Sequence, residues 1–503
     1  MTTPIRRLAA IASVGAVIAL SACSSPLSSG PATTTTAPPT TTTIPGASTP
    51  AQTKASDYRA QLTYLMVEHD YLVARVTQEV IAAGGAGVDT SAIVSAAGST
   101  TATGGGAAGA GATGSGATGE TTTTAAAPTT TSSATTTTTQ ARTATGASTT
   151  TLPPTTIAPA TTTTTPAGLA FSGRDDAASA LDANSHDISD WLSQAEGYGD
   201  AFNTAFYQLW TERIALFEAD AAAKAESDTA GTQAVTTGLA QNATAIGTLL
   251  HNTNKYVPIT TVTNPPTGMA DELGPDNQAV LTFIADQATK ASVTVSDTVA
   301  AAELMYHTAD YMADAAAKLD PAQYPGTAAG TAANLRSSVT MVLVEHVELL
   351  SLDLDQIAAN QPDGPEAAAL DNNSKQLENI AAVNFGDAPA GQLYALWTAY
   401  INDLKSYTKA KVAGGDTSVW TGKLAQVPGQ VGAFFNAQVG SLSSVLVSSD
   451  VMPMMAGLQM VADAAAAQSP EVVLIREAAG FVPKIASDVS EAIAATNSTL
   501  YLP

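Results

Sequence analysis

The residue types best suited to chemistry in this chain are two Glu and His pairs. Glu68 and His69 are adjacent, and Glu303 precedes His307 by four residues, one turn of a helix. Carboxylate and imidazole groups on facing helices can ligate a metal inside a bundle, so these four residues predict, as one alternative, a site for one divalent ion. In the other alternative His69 is a buried polar residue that hydrogen-bonds across the bundle and fixes helix register. We favour the second alternative, in which the chain has no cofactor.

Other residue types give weaker signals. A cluster of four methionines could bind Cu(I) through thioethers, but its irregular spacing favours core packing: Met452, Met454, Met455 and Met460. The motifs Gly-x-Ser-x-Gly, Gly-x-x-x-x-Gly-Lys-Ser/Thr and His-Glu-x-x-His do not occur in the sequence. We therefore expect a protein without enzymatic activity.

The segments that carry these residues occur twice in the chain. Val67-Glu68-His69 matches Val344-Glu345-His346 at an offset of 277, and Leu209-Trp210-Thr211 matches Leu396-Trp397-Thr398 at an offset of 187. The sequence thus predicts two structural pairs, His69 with His346 and Trp210 with Trp397. The tryptophans could line a ligand cleft, but at helical spacing they are more often core residues.

Apolar periodicity predicts helices throughout the repeated sequence. Leu62, Leu65, His69, Leu72 and Val76 recur every three or four residues and so share one helical face, whereas strand signals are nearly absent. We predict an all-α fold of two tandem antiparallel helical bundles that arose by internal duplication. Copy one spans residues 57–320 and contains a disordered Thr/Gly-rich insertion at 84–172; copy two spans 331–498. Four aspartates before apolar runs predict helix N-caps: Asp200, Asp228, Asp387 and Asp416.

The first 23 residues are typical of a bacterial lipoprotein leader. Arg6 and Arg7 precede an apolar run that ends in Leu20-Ser21-Ala22-Cys23, and Cys23 is the one cysteine of the chain. We expect a signal peptide at residues 1–22 and a lipid anchor, with palmitate, on Cys23. A Thr/Pro-rich tether follows at 23–56. The Thr-rich segments are equally consistent with stalks carrying O-linked sugars and with unmodified linkers.

The charge of the chain excludes one class of partner. It has 20 Lys and Arg against 44 Asp and Glu, a formal net charge of −24, and no cluster of cations that could neutralise phosphates. Nucleic acid is therefore not an expected partner. The expected partners are the membrane, reached through the lipid anchor, and an envelope protein or a cell-wall component.

The repeat unit resembles a family of small bacterial helical proteins. Their unit contains an aromatic-acidic-His helix, a Leu-x-x-Asn helix, a Gly-Asp helix and a last helix with His and Met-Ala-Asp. Matching elements are Val67-Glu68-His69, Leu181-x-x-Asn184 and His307 with Met312-Ala313-Asp314, then Val344-Glu345-His346 and Leu370-x-x-Asn373. Copy two lacks the last histidine near Gly480. The resemblance covers most of the repeated sequence and implies a helical fold, with no activity attached to it.

Together these features predict a lipid-anchored cell-envelope protein on the extracytoplasmic face of the membrane, acting as a non-enzymatic binding or structural module. Two alternatives remain. One is a metal-binding, ferritin-like bundle built on Glu68, His69, Glu303 and His307. The other is a carrier of apolar ligands or lipids between Ala-rich helices.

Overall fold

The computed structural model describes residues 53–86, 88, 175–195, 198–257, 268–289 and 294–501, all of which belong to one compact unit. The leader, Cys23, almost all of the tether and nearly the whole predicted insertion lie outside these described residues. Within them the secondary structure is helical and contains no strand, so the all-α prediction is confirmed.

The first half of the described chain, residues 54–319, contains six long helices. The longest gap in the described residues lies between the first and the second of these helices, where the insertion is predicted. They are α1 (Lys54–Ala82), α2 (Asp175–Ser193), α3 (Asp200–Ala225), α4 (Thr229–Thr253), α5 (Met269–Thr289) and α6 (Thr294–Leu319).

The second half, residues 331–501, begins with three helices of similar length to their counterparts in the first half and continues with five more, four of which are shorter. The helices are α7 (Thr331–Ala358), α8 (Pro365–Phe385), α9 (Asp387–Val412), α10 (Ser418–Leu424), α11 (Val427–Gln438), α12 (Ser444–Ala466), α13 (Val472–Ala479) and α14 (Val482–Thr496). By length and hydropathy alone α12 could cross a membrane, but here it packs against α7, α9, α11 and α13, as a core helix does.

The helix starts follow local chemistry, with corrections. Asp228 is an N-cap as predicted, because its side chain accepts a hydrogen bond from the Ala230 N–H at 3.0 Å. Asp200 and Asp387 are instead the first helical residues, after Gly199 and Gly386. There the carboxylates lie in the first turn, where the helix dipole favours negative charge. Asp416 is not the cap either: it lies one residue before the cap, Thr417, and accepts a hydrogen bond from the Ser418 N–H at 2.9 Å.

The helices of the two halves correspond to one another in order and in packing. Four helices of the first half have a single counterpart in the second: α1 matches α7, α2 matches α8, α3 matches α9 and α5 matches α12. The other two each match a pair of shorter helices: α4 matches α10 with α11, and α6 matches α13 with α14. Contacts repeat accordingly: α1 packs on α2, α3, α5 and α6, as α7 packs on α8, α9, α12, α13 and α14. Pro275 inside α5 and Pro453 inside α12 lie 14 and 13 residues before the last residues of their helices, so they align the two helices closely. This agreement favours duplication as the origin of the two halves.

The two halves meet through equivalent helices, α1 and α7. Arg59 on α1 donates to the side chain of Asn334 at the start of α7, and Arg336 on α7 donates to Asp57 at the start of α1. Arg336 lies 277 positions after Arg59, and Asn334 lies 277 positions after Asp57, so both bonds join equivalent positions of the two halves. The contact is self-complementary, like a two-fold interface between identical subunits.

Candidate functional site

His69, the centre of the predicted metal site, is fully buried on α1 and engaged at both ring nitrogens. The Asn184 amide donates to the Leu65 carbonyl at 2.9 Å and to Glu68 at 2.8 Å, so its oxygen must accept from His69 Nδ1, 3.1 Å away. Nε2 then accepts from Arg213 at 3.4 Å. Burial, and secondly the Arg213 charge, lower the pKa of His69 to about 3, so the ring is neutral.

His346 lies in a related arrangement on α7. Asn373 donates to the Val342 carbonyl at 2.9 Å and to Glu345 at 2.8 Å, and the Trp397 indole donates to His346 Nδ1 at 3.2 Å. The Trp210 indole nitrogen likewise lies 3.4 Å from His69 Nδ1. Burial lowers the pKa of His346 to about 3 as well. Both tryptophans are therefore core residues packed on a buried histidine.

The structure does not gather the four predicted metal ligands into one set. Glu68 is buried with hydrogen bonds to Asn184 and Arg476, whereas Glu303 and His307 are exposed on α6. Among the described residues no group of three or more His, Cys, Asp and Glu side chains is placed to hold a metal ion. The methionines also separate, with Met454 and Met455 buried in the core and Met452 and Met460 exposed.

Sequence reasoning missed a buried ionic cluster beside His69. Arg213 pairs with Asp276 and donates to Asn277 at 2.8 Å, and Asp70 lies close to Asp276; all four side chains are almost completely buried. Burial, reinforced by the charge of Asp276, raises the pKa of Asp70 well above its usual range.

The second half has apolar or neutral side chains in place of this cluster. By the offsets of their helices, Asp70, Arg213, Asp276 and Asn277 correspond to Val347, Tyr400, Met454 and Met455. Comparing the two copies position by position would have revealed this difference from the sequence. The cluster is sealed from solvent, so it has a structural role and no access to a substrate.

The accessible candidate site is a polar cleft of about 580 Å³ at the junction of the two halves. Helices α1 and α2 from the first half and α7 from the second form its walls, with the segment 468–471 between α12 and α13. Its charged lining comprises Arg75, Glu79, Asp176, Asp355 and Glu471. A cleft of this size lies within the range of roughly 300–1,000 Å³ of small-molecule sites.

Arg75 is the one cation in the cleft lining, and it contacts several carboxylates without bonding to them. Its guanidinium donates to the Ser351 hydroxyl at 2.6 Å. Carboxylate oxygens of Glu348, Asp355 and Glu471 lie 3.8, 3.7 and 3.7 Å from its nitrogens. These distances allow electrostatic attraction but exceed those of hydrogen bonds.

Glu471 is the least satisfied group in the cleft. It is only 7% exposed, and within the described part of the chain neither carboxylate oxygen has a hydrogen-bond partner. Burial, followed by the negative charge of Asp355, raises the pKa of Glu471 to about 9 despite the nearby Arg75. Burial also raises the pKa of Glu348, behind Arg75, to about 7. The cleft therefore presents a protonated, uncharged acid that lies close to the Asp355 carboxylate.

Comparisons with protein families, with curated proteins and with solved structures found no match to this chain.

Proposed function

We propose that this protein is a lipid-anchored binding protein on the extracytoplasmic face of the cell membrane, and that it holds a small polar molecule in the cleft between its halves. The observation that carries the proposal is Glu471, a buried carboxyl group that lines the cleft and whose oxygens meet no donor among the described residues. Leaving such a group unpaired costs about 1–3 kcal/mol, which a ligand with matching donors would recover.

The position of the cleft also supports a binding role. Its walls come from both halves, so a bound molecule would contact α1, α2 and α7 together and hold the two halves in one arrangement. Convergent polar groups in a concave site are the usual signature of small-molecule recognition. A non-enzymatic role agrees with the lack of hydrolase and nucleotide motifs in the sequence.

The anchor in this proposal rests on the leader sequence. Arg6, Arg7, the apolar run and Cys23 together fit export followed by acylation of the cysteine. Labelling cells with palmitate should mark the wild-type chain and leave Cys23→Ala unlabelled. Labelling of the variant at the wild-type level would contradict the anchor.

The cleft is tested with a matched pair of variants. Ala359 and Ala413 are exposed residues that follow α7 and α9 with nearly the same backbone, φ −77° and −75°, but only Ala359 lines the cleft. Ala359→Trp should abolish binding of a polar probe while Ala413→Trp leaves it intact, as measured by NMR titration of the full chain. Equal binding by both variants would contradict a ligand site in the cleft.

A second candidate function, binding of an apolar ligand, is favoured by one observation in the second half. A cavity of about 40 Å³ lies inside the bundle, with a lining that is apolar almost throughout. Leu343, Ile380 and Leu393 line it, where the first half has Met66, Trp191 and Phe206.

The size of this cavity places it second to the cleft. It holds about as much as one water molecule, whose share of liquid volume is about 30 Å³, so an acyl chain would have to push the helices apart. Native mass spectrometry should show no co-purified lipid. A lipid that is retained by the wild-type chain and lost in Leu393→Phe would favour the carrier function instead.

A further inference from the structure

We propose that the molecule bound in the cleft is a small organic cation whose primary ammonium group contacts Glu471; this inference rests on the proposed function. The lining carries four carboxyl groups, Glu79, Asp176, Asp355 and Glu471, against one guanidinium, Arg75. The buried Glu348 lies behind Arg75 and opposes its charge. The cleft therefore favours a positive ligand and disfavours an anion.

Glu471 lacks what an ammonium group would supply. Its two oxygens have no donor among the described residues, and the nearest cation, Arg75, is 3.7 Å away. An ammonium group carries a full charge and three N–H donors, so it can pair with Glu471 and reach a second carboxylate such as Asp355. Charge-assisted bonds of this kind are about twice as strong as neutral ones.

The geometry favours an organic ammonium over a metal ion. Within the described ranges no three acidic or His side chains converge to the distances that a metal needs. The cleft volume of about 580 Å³ leaves room for a carbon chain beyond the ammonium group. A bare ion would fill little of that space.

Binding of such a cation would release a proton. In the free protein Glu471 is protonated, because burial and the Asp355 charge keep its pKa at about 9. On binding, the ammonium keeps its own protons, Glu471 loses its carboxyl proton to solvent, and the ionised carboxylate pairs with the ligand. The facing charged groups are Arg75 and Glu79 on α1, Asp176 on α2, and Glu348 and Asp355 on α7. Affinity should therefore rise by up to about tenfold per pH unit between pH 6 and 8.

The test compares three four-carbon probes that differ in their ends: putrescine, 1,4-butanediol and succinate. NMR titration of the full chain should show binding of putrescine alone, weakened at least tenfold in Glu471→Gln. The control Glu477→Gln makes the same change at an exposed residue of α13 and should stay within twofold of wild type. Glutamine resembles the protonated Glu471 of the free protein, so we expect the variant to fold; its circular dichroism melting curve checks this.

Several outcomes would overturn the inference. They are failure of putrescine to bind, equal binding in Glu471→Gln, tighter binding of succinate or butanediol, and tighter binding of calcium chloride tested alone. The proposed function is judged separately, by whether Ala359→Trp blocks whichever polar probe does bind. If a neutral or anionic probe binds the wild-type chain and Ala359→Trp prevents that binding, the cleft is still the binding site but its ligand is not a cation.

Discussion

Asn184 and Asn373, 189 residues apart, make the same two hydrogen bonds in the two halves. Each donates its side-chain amide to a main-chain carbonyl at 2.9 Å and to a glutamate at 2.8 Å, on the helix that carries the buried histidine. The two differ at their amide oxygen. That of Asn184 lies 3.1 Å from His69, whereas that of Asn373 has no partner among the described residues.

This difference predicts unequal effects of removing the two amides. Asn184→Ala should lower the free energy of unfolding by about 2–4 kcal/mol, since it removes bonds to a carbonyl, a carboxylate and a histidine in the core. Asn373→Ala should cost less because it breaks two bonds and leaves the histidine as it was. Urea denaturation of both variants measures this, and a larger loss for Asn373→Ala would contradict it.

The ionic cluster of the first half should be replaceable by the side chains of the second half. Breaking it with Arg213→Tyr alone should cost about 3–5 kcal/mol, because Asp276 is left buried and uncompensated. Adding Asp70→Val, Asp276→Met and Asn277→Met should recover most of that loss, as these are the residues found at Val347, Met454 and Met455. A quadruple variant no more stable than Arg213→Tyr in the same denaturation assay would show that the two cores are not interchangeable.

The cavity in the second half should be fillable with a residue from the first. Leu393→Phe introduces the side chain found at the equivalent Phe206 and should raise stability by about 1 kcal/mol, given about 24 cal/mol per Å³ of cavity and a volume of about 40 Å³. Phe206→Leu serves as the control and should be destabilising by a similar amount. Destabilisation by both substitutions would mean that the cavity cannot accept the ring.

The buried acids predict that stability falls as pH rises above neutrality. Burial raises the pKa of Glu345 and of Glu348 to about 7, and the pKa of Glu471 reaches about 9. In the unfolded chain these groups ionise near pH 4.3. Raised pKa values favour the fold only while the groups hold their protons, so this contribution falls from about pH 4.3 upward; the loss ends near pH 7 for Glu345 and Glu348 and near pH 9 for Glu471. Above pH 7 stability should therefore still fall by about 1 kcal/mol per pH unit, through Glu471.

Melting temperatures measured at pH 6.5 and at pH 9 check this prediction. Glu471→Gln should flatten the decline between pH 6.5 and 9, whereas Glu477→Gln, at an exposed position, should not change it. A melting temperature that stays constant or rises over this range would contradict the assignment of protons to the buried carboxyl groups.

Much of the fold could be predicted from the sequence because it depends on local patterns. Apolar spacing around Leu62 and Leu72 fixes a helical face, and short matches around His69 and His346 locate equivalent helices without any structure. Three predicted caps were wrong by one residue. Glycine precedes Asp200 and Asp387 and takes the cap position, and Thr417 takes it after Asp416. Helix ends depend on backbone geometry that residue type only partly determines.

The candidate site could not be predicted, because it depends on contacts between distant segments. Arg75 and Glu471 are separated by 396 positions and meet only when α13 packs on α2 and α7. In the sequence each looks like an ordinary surface charge. Arg213 and Asp70 also give no sign of burial in the sequence, since charged residues are seldom buried unless they are paired. The predicted ligands Glu303 and His307 have suitable spacing but lie on an exposed helical face.

Proton release on ligand binding tests the account most directly, because it requires both an occupied cleft and a protonated Glu471. Calorimetric titration of the full chain with putrescine at pH 7.5, in two buffers of different ionisation enthalpy, counts the protons exchanged. We predict about one proton released per ligand in the wild-type chain and none in Glu471→Gln. Tight binding without proton release by the wild-type chain, or the same release by the variant, would contradict the account.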